Sequence, residues 1–246
     1  MQITTRELEL TVDGHPMRVR IAEPRGSARF PGILLDSEIF QLTGPIRRSM
    51  ERLAGHGFVV AAPEIFHRVE PPGAVIAYDD AGRERGLADA RRTSVAEYDR
   101  DRDAVLDWLE RDARVVPGAL GAMGFCIGGH LALRAALDPR VRATVACYPT
   151  GVHDGKLGSD ADAGTLARLS TLRGRVLVVF GAQDPHVPLA GRDVVRAALA
   201  PLGERALVRE YDGEHAYMRD EGPRYDPAAS DVTWAEAIEF FHRSFA

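Results

Sequence analysis

Two periodicities divide the chain. Near the N-terminus, RELELTV (6–12) and MRVRIA (17–22) alternate polar and apolar positions around Asp13-Gly14, which predicts an antiparallel hairpin with one face buried. From Pro31 the pattern changes to short, largely apolar runs: PGILLD (31–36), GFVVAAP (57–63), ALGAMGF (119–125), RATVACY (142–148), RVLVVFG (175–181) and RALVREY (205–211). Between and after them lie stretches whose apolar residues recur at helical spacing: PIRRSMERLAGH, VAEYDRDRDAVLDWLERD, GGHLALRAAL, GRDVVRAALAPLG and a final helix from about Ser230 to Phe245. Strands that alternate with helices imply a mostly parallel central sheet with helices on both faces, carrying the N-terminal hairpin as an antiparallel addition. The chain length suits a single α/β domain over residues 1–246, and no internal repeat is visible.

Two connections exceed the usual loop length: Pro63 to about Arg92, carrying Glu64, His67, Arg68, Tyr78, Arg83 and Arg85, and Pro149 to about Asp162, rich in Gly and Asp. The first is a candidate functional loop; the second reads as a solvated crossover.

Composition narrows the possibilities. With 45% hydrophobic and 27% charged residues the chain is globular rather than disordered. A formal charge of −5 gives no basic footprint for nucleic acid. Lys156 is the only lysine, so a fixed positive site must be built from arginine. The N-terminal MQITTRELEL lacks the apolar region of a signal peptide, and no run of about 18 apolar residues could cross a membrane, so a cytoplasmic protein is expected. Its two cysteines, Cys126 and Cys147, should then be free thiols, with Cys147 buried in a strand. A monomer or small homo-oligomer is expected.

In open α/β sheets reactive groups gather beyond the carboxyl ends of the strands, and three such addresses stand out. Cys126, in MGFCIGGH, has the glycine neighbours of a nucleophile elbow, a sharp strand-to-helix turn that has no room for bulkier residues. The helix N-terminus beneath it favours a thiolate. Asp184 follows RVLVVFG, and His215 follows RALVREY. The order nucleophile, acid, histidine is that of α/β-hydrolases, with Asp184 orienting His215 and His215 serving as base. His186, two residues past Asp184, is the main rival base; His67 and His153 have no further support, and His15, His56, His130 and His242 have unsuitable addresses. Acyl transfer also needs oxyanion donors, and the candidates are the N–H groups of Ile127 and of Ile39 in the DSEIF loop. Glu38 beside Ile39 would repel a thiolate, and a hydrogen bond from Cys126 to Glu38 would keep the resting thiol protonated. No metal-ligand pattern is present, and the chemistry needs no cofactor.

These segments resemble the dienelactone hydrolase family, the carboxymethylenebutenolidases, through SEIF, APEIF, GFCIGG, GAQDPHVP and GEHAYMR. The resemblance implies an α/β-hydrolase fold and a hydrolase that opens an enol-lactone such as dienelactone to maleylacetate. It implies that Glu38 holds the resting thiol until an anionic substrate displaces it, and that Arg219 binds the substrate carboxylate together with either Arg83 or Arg85. Ala216 stands where the family tends to have serine, and Tyr78 precedes the loop arginines where the family tyrosine follows its own. The alternatives are a broader carboxylesterase or thioesterase with the same triad, a non-catalytic ligand-binding relative of the fold, and a redox sensor centred on Cys126.

Overall fold

In the computed structural model, which describes residues 1–246, the alternating segments pair as β1 (Ile3–Val12) and β2 (His15–Pro24), antiparallel around Asp13-Gly14. The apolar runs become β3 (Phe30–Asp36), β4 (Val59–Pro63), β5 (Val115–Phe125), β6 (Val141–Cys147), β7 (Arg175–Gly181) and β8 (Ala206–Tyr211). One eight-stranded sheet runs in the order β1-β2-β4-β3-β5-β6-β7-β8. It is antiparallel at β1-β2-β4 and parallel from β4 to β8.

The apolar strands read as unbroken runs because both faces of the sheet are covered. Ile33 and Leu35 of β3 pack on one face with α1 (Gly44–Gly55) and α7 (Pro227–Phe245), while Leu34 between them packs on the other with α3 (Val95–Arg111). The same alternation in β7 sends Leu177 and Val179 to the α7 side and Val176, Val178 and Phe180 to α6 (Leu189–Leu199). Cys147 faces the α7 side and is fully buried, and both cysteines are free. The last helix begins three residues earlier than its periodicity suggests, because Asp226 accepts the Ala229 N–H and Pro227 occupies the first turn. No helix is long and apolar enough to cross a membrane.

The larger departure lies between Pro63 and Arg92, which is not one long loop. Its second half is a helix, α2 (Asp80–Arg92), capped by Asp79, whose Oδ1 accepts the Gly82 N–H at 2.7 Å. The sequence DAGRERGLADARR hides it: the apolar stripe is thin, and two glycines weaken helix propensity. Those glycines are there for contact. A Cβ on Gly86 would stand 2.3 Å from the Ile39 carbonyl oxygen, so α2 lies directly against the DSEIF loop. Between Pro149 and Asp162 the chain makes a run of turns before the short α5 (Thr165–Arg168), and this segment too borders the site described next.

Candidate active site

Cys126 joins β5 to α4 (Ile127–Ala135) and adopts φ 60°, ψ −121°, a conformation that costs a non-glycine residue energy and is held by its surroundings. Four backbone bonds fix it. Its N–H donates to Cys147 O at 3.1 Å, and its carbonyl accepts from Gly129 N–H (3.0 Å), Thr150 N–H (3.2 Å) and His130 N–H (3.4 Å). Glycine is required alongside: a Cβ on Gly124 would lie 1.9 Å from Gly128 O, and one on Gly128 would lie 2.3 Å from Asp36 O.

Asp184, just past β7, is buried, with Oδ1 accepting the His186 N–H at 2.8 Å and Oδ2 accepting from His215 Nδ1 at 2.7 Å. Burial alone would raise its pKa; the bond to His215, the charge there and the His186 N–H outweigh this and hold the carboxyl below its ordinary value. His215 follows β8, packed edge-on against Tyr148 and His186 with ring centroids 5.2 and 4.6 Å away. With Nδ1 on Asp184, Nε2 is left free on the side of the cavity that His215 shares with the Cys126 sulfur. Burial disfavours an imidazolium, but the anionic form of Cys126 and then Asp184 favour it more, and the pKa is pushed up to about 10. The structure therefore brings Cys126, Asp184 and His215 together. His186 is not the group bonded to the acid side chain: its ring lies against His215, and burial followed by nearby positive charge lowers its pKa.

Glu38, Ile39 and Ile127 line the same cavity as Cys126. Ile127 is the first residue of α4, so its N–H has no acceptor within the helix, and the Ile39 N–H in its loop is also without a partner in the chain. The expected hydrogen bond from Cys126 to Glu38 is not formed. The Glu38 carboxylate instead faces the Arg219 guanidinium, at 3.6 Å, because a buried acid is drawn to the cation beside it, and its Oε2 has no hydrogen-bond partner. Burial pushes its pKa up, with Arg219 and His215 pulling the other way. Arg219 in turn lies over the Tyr78 ring at 4.2 Å from its centroid, and the Tyr78 hydroxyl hydrogen-bonds Thr43 at 2.6 Å.

The loop arginines separate. Arg83 lines the cavity, whereas Arg85 points off it and is held bidentately by Glu70, with Nε–Oε1 at 2.6 Å. Position on the helix decides this: Arg83, Leu87, Ala90 and Arg91 share the cavity face of α2, and Arg85 does not.

The sequence assigns no role to two further contributors, Thr150 and Tyr78. Thr150, at the end of β6, places its hydroxyl oxygen 3.9 Å from the Cys126 sulfur. Its carbonyl accepts from His130 Nδ1 at 3.0 Å, and His130 Nε2 meets the Thr165 hydroxyl at 2.8 Å. Burial drives the His130 pKa down to about 3, so it is a neutral strut rather than a base. Tyr78 precedes the loop arginines instead of following them, yet its ring is the face on which Arg219 rests. The strand-end rule itself would have flagged Thr150, which follows β6 as Asp184 follows β7.

The chain matches the model of the Dienelactone hydrolase family over residues 17–245. A Saccharomyces cerevisiae protein provisionally named carboxymethylenebutenolidase is 35% identical over 94% of this chain and 88% of its own length. A carboxymethylenebutenolidase of Rhodococcus opacus is 30% identical over 86% of this chain and 80% of its own. Among solved structures, one described provisionally as a dienelactone hydrolase, from Klebsiella pneumoniae, superposes with a TM-score of 0.86 at 25% identity, covering 99% of this chain and 100% of that one. With the α/β-hydrolase sheet order and a match spanning nearly the whole sequence, the chain belongs to the dienelactone hydrolase family and is a carboxymethylenebutenolidase-like hydrolase.

Proposed function

We propose that the protein is a cysteine-dependent hydrolase that opens an activated, anionic enol-lactone of the dienelactone type through a thioacyl-enzyme. The observation that carries this reading is the strained Cys126 at the head of α4, lining one cavity with a His215 imidazole bonded to Asp184 at 2.7 Å.

The Cys126 proton passes to His215, and the sulfur adds to the lactone carbonyl carbon. The carbonyl oxygen, as it becomes negative, is met by the Ile127 and Ile39 N–H groups. Collapse of the adduct breaks the ring C–O bond, and the departing enolate oxygen takes the proton from His215. Acylation also removes the sulfur's negative charge, the strongest of the influences that raise the His215 pKa. The imidazole then returns to its basic form, takes a proton from water as the water oxygen attacks the thioester, and gives that proton to the departing sulfur.

Cysteine suits this substrate class. A thiolate leaves more readily than an alkoxide, so its adduct with an ordinary ester tends to revert, whereas an enol-lactone expels a much better leaving group. Arg219 and Arg83 supply guanidinium groups for the substrate carboxylate. When that carboxylate takes Arg219, Glu38 loses its counter-cation in a buried position, which favours its neutral form and removes its repulsion of the thiolate. We place this activity in the cytoplasm, in a single-domain monomer or small homo-oligomer.

The test is steady-state hydrolysis of dienelactone beside p-nitrophenyl acetate with wild type and Cys126→Ala. A strong preference for the lactone is expected, with kcat in the alanine variant reduced on the order of 10⁴-fold or more. Equal or better turnover of the neutral ester would point instead to a general carboxylesterase using the same triad, and undiminished turnover by Cys126→Ala would remove the cysteine from the mechanism.

A further inference from the structure

Cys126, His215, Glu38 and Arg219 line a cavity of about 940 Å³. That volume is at the upper end of the range that encloses a drug-sized ligand, and a one-ring lactone with a single carboxylate occupies only part of it. The excess space is bounded by α2. Along its cavity face stand Arg83, then Leu87 one turn on, then Ala90 and Arg91 two turns on.

The cations of this cavity fall into two groups. Three already have a carboxylate beside them: Arg219 with Glu38 at 3.6 Å, Arg224 with Glu214 at 3.5 Å and Lys156 with Asp154 at 2.8 Å. Arg83 and Arg91 are in no ion pair. Of the cavity's other acids, Asp79 is engaged with the Gly82 N–H, Asp160 with the Val95 N–H at 2.8 Å, and Asp80 lies in the first turn of α2, where the helix dipole favours it. The two unpaired guanidinium groups therefore sit on one helix face with an apolar strip between them. Eight residues at the helical rise separate them by about 12 Å. Arg83 is at the triad end, because α2 begins two residues after Tyr78, the ring on which Arg219 rests.

We propose that Arg91 forms a second anion subsite, so that the preferred substrate is a lactone or ester acid carrying a further carboxylate across an apolar spacer of about 12 Å. This rests on the hydrolase reading for the reacting end of the ligand: the lactone carbonyl at Cys126, one carboxylate at Arg219 and Arg83, the spacer along Leu87 and Ala90, the far carboxylate at Arg91. A small monoanionic lactone would fill the triad end alone and leave Arg91 unused.

An arginine in the last turn of a helix also complements the helix dipole, so the test reads ligand binding, which a purely structural role would not move. Calorimetric titration of the wild-type protein with decanedioate, hexanedioate and decanoate separates chain length from the second charge. Decanedioate is expected to bind about ten-fold more tightly than either of the others, the gain of one charge-assisted hydrogen-bonded contact. Arg91→Met should remove that advantage, Arg91→Lys should retain part of it, and Arg92→Met, which changes the same net charge outside the cavity, should leave it intact. Equal binding of decanedioate and decanoate by wild type, no binding of any of the three, or an advantage that survives Arg91→Met would overturn the subsite. None of these ligands is hydrolysed, so failure of the lactone assay leaves this result readable, and loss of the subsite leaves the triad reading intact.

Discussion

On the wall of the cavity that carries Cys126, backbone meets backbone. The Gly128 position lies against the Asp36 and Ser37 carbonyl oxygens, Gly129 against Cys147 O, and Cys126 is bonded to β6 on one side and to Thr150 on the other. On the opposite wall, side chains meet side chains. Arg219 is sandwiched between the Glu38 carboxylate and the Tyr78 ring, and α2 presents Arg83 and Arg91 without any partner. The first wall holds one geometry and fixes the reacting atoms. The second can exchange its charge partners, which is what a wall that receives an anion must do. Catalytic position is thus specified by steric exclusion, and ligand choice by charges left partly unsatisfied.

The comparison breaks first at Gly128. A Cβ there would stand 2.3 Å from Asp36 O and 2.5 Å from Ser37 O, both backbone atoms that cannot rotate away. Gly128→Ala must therefore push α4 off the loop that carries Ile39. The expected cost is about 3 kcal/mol of stability, near the top of the overpacking range, with kcat/KM lowered on the order of 10²-fold by displacement of the sulfur from the oxyanion donors. Thermal unfolding and lactone kinetics measured on the same preparation check it. Wild-type kinetics in this variant would mean that the elbow wall is pliable.

A smaller and different effect is expected from the charged wall. Arg219→Lys keeps the charge but loses the planar group that lies 4.2 Å from the Tyr78 centroid and reaches Glu38. KM for an anionic lactone should rise about ten-fold, the loss of one charge-assisted contact, with kcat changed much less and the melting temperature hardly at all. Unaltered KM together with a collapse of kcat would place Arg219 with the reacting atoms instead of with the ligand's carboxylate.

The same contrast explains what could be read from the sequence. The elbow wall was legible because steric exclusion writes glycine into fixed positions, and because Cys126, Asp184 and His215 each follow an apolar strand whose end the hydrophobic pattern marks. The sheet and the N-terminal hairpin were legible for the same reason. The other wall was not. α2 has almost no apolar stripe, and Gly86, which reads locally as a helix breaker, serves a contact with Ile39 that is 47 residues away in the chain (86 − 39). Which of Arg83 and Arg85 would face the cavity depended on recognising that helix. The partner of Glu38 depended on the placement of Arg219, so a bond to Cys126 was a reasonable expectation from adjacency, and the nearby guanidinium defeated it.

Thr150 gives the finest division between the two walls, because it belongs to the rigid one yet touches the sulfur through a side chain. Its backbone bonds to Cys126 O and from His130 Nδ1 survive replacement by valine, which has nearly the same shape, so Thr150→Val removes only the hydroxyl at 3.9 Å from Sγ. If that hydroxyl steadies the anionic sulfur, its loss costs about 1 kcal/mol, the size of one modest hydrogen bond, or about five-fold in kcat. Alkylation of Cys126 by iodoacetamide at neutral pH should slow by a similar factor, since the thiolate is the reacting form, and Thr150→Ser should restore both. Loss of stability without a change in alkylation would show that Thr150 serves only the backbone. Slower turnover with normal alkylation would instead assign the hydroxyl to the acylated stage, where the sulfur is no longer an anion and His215 has recovered its basicity.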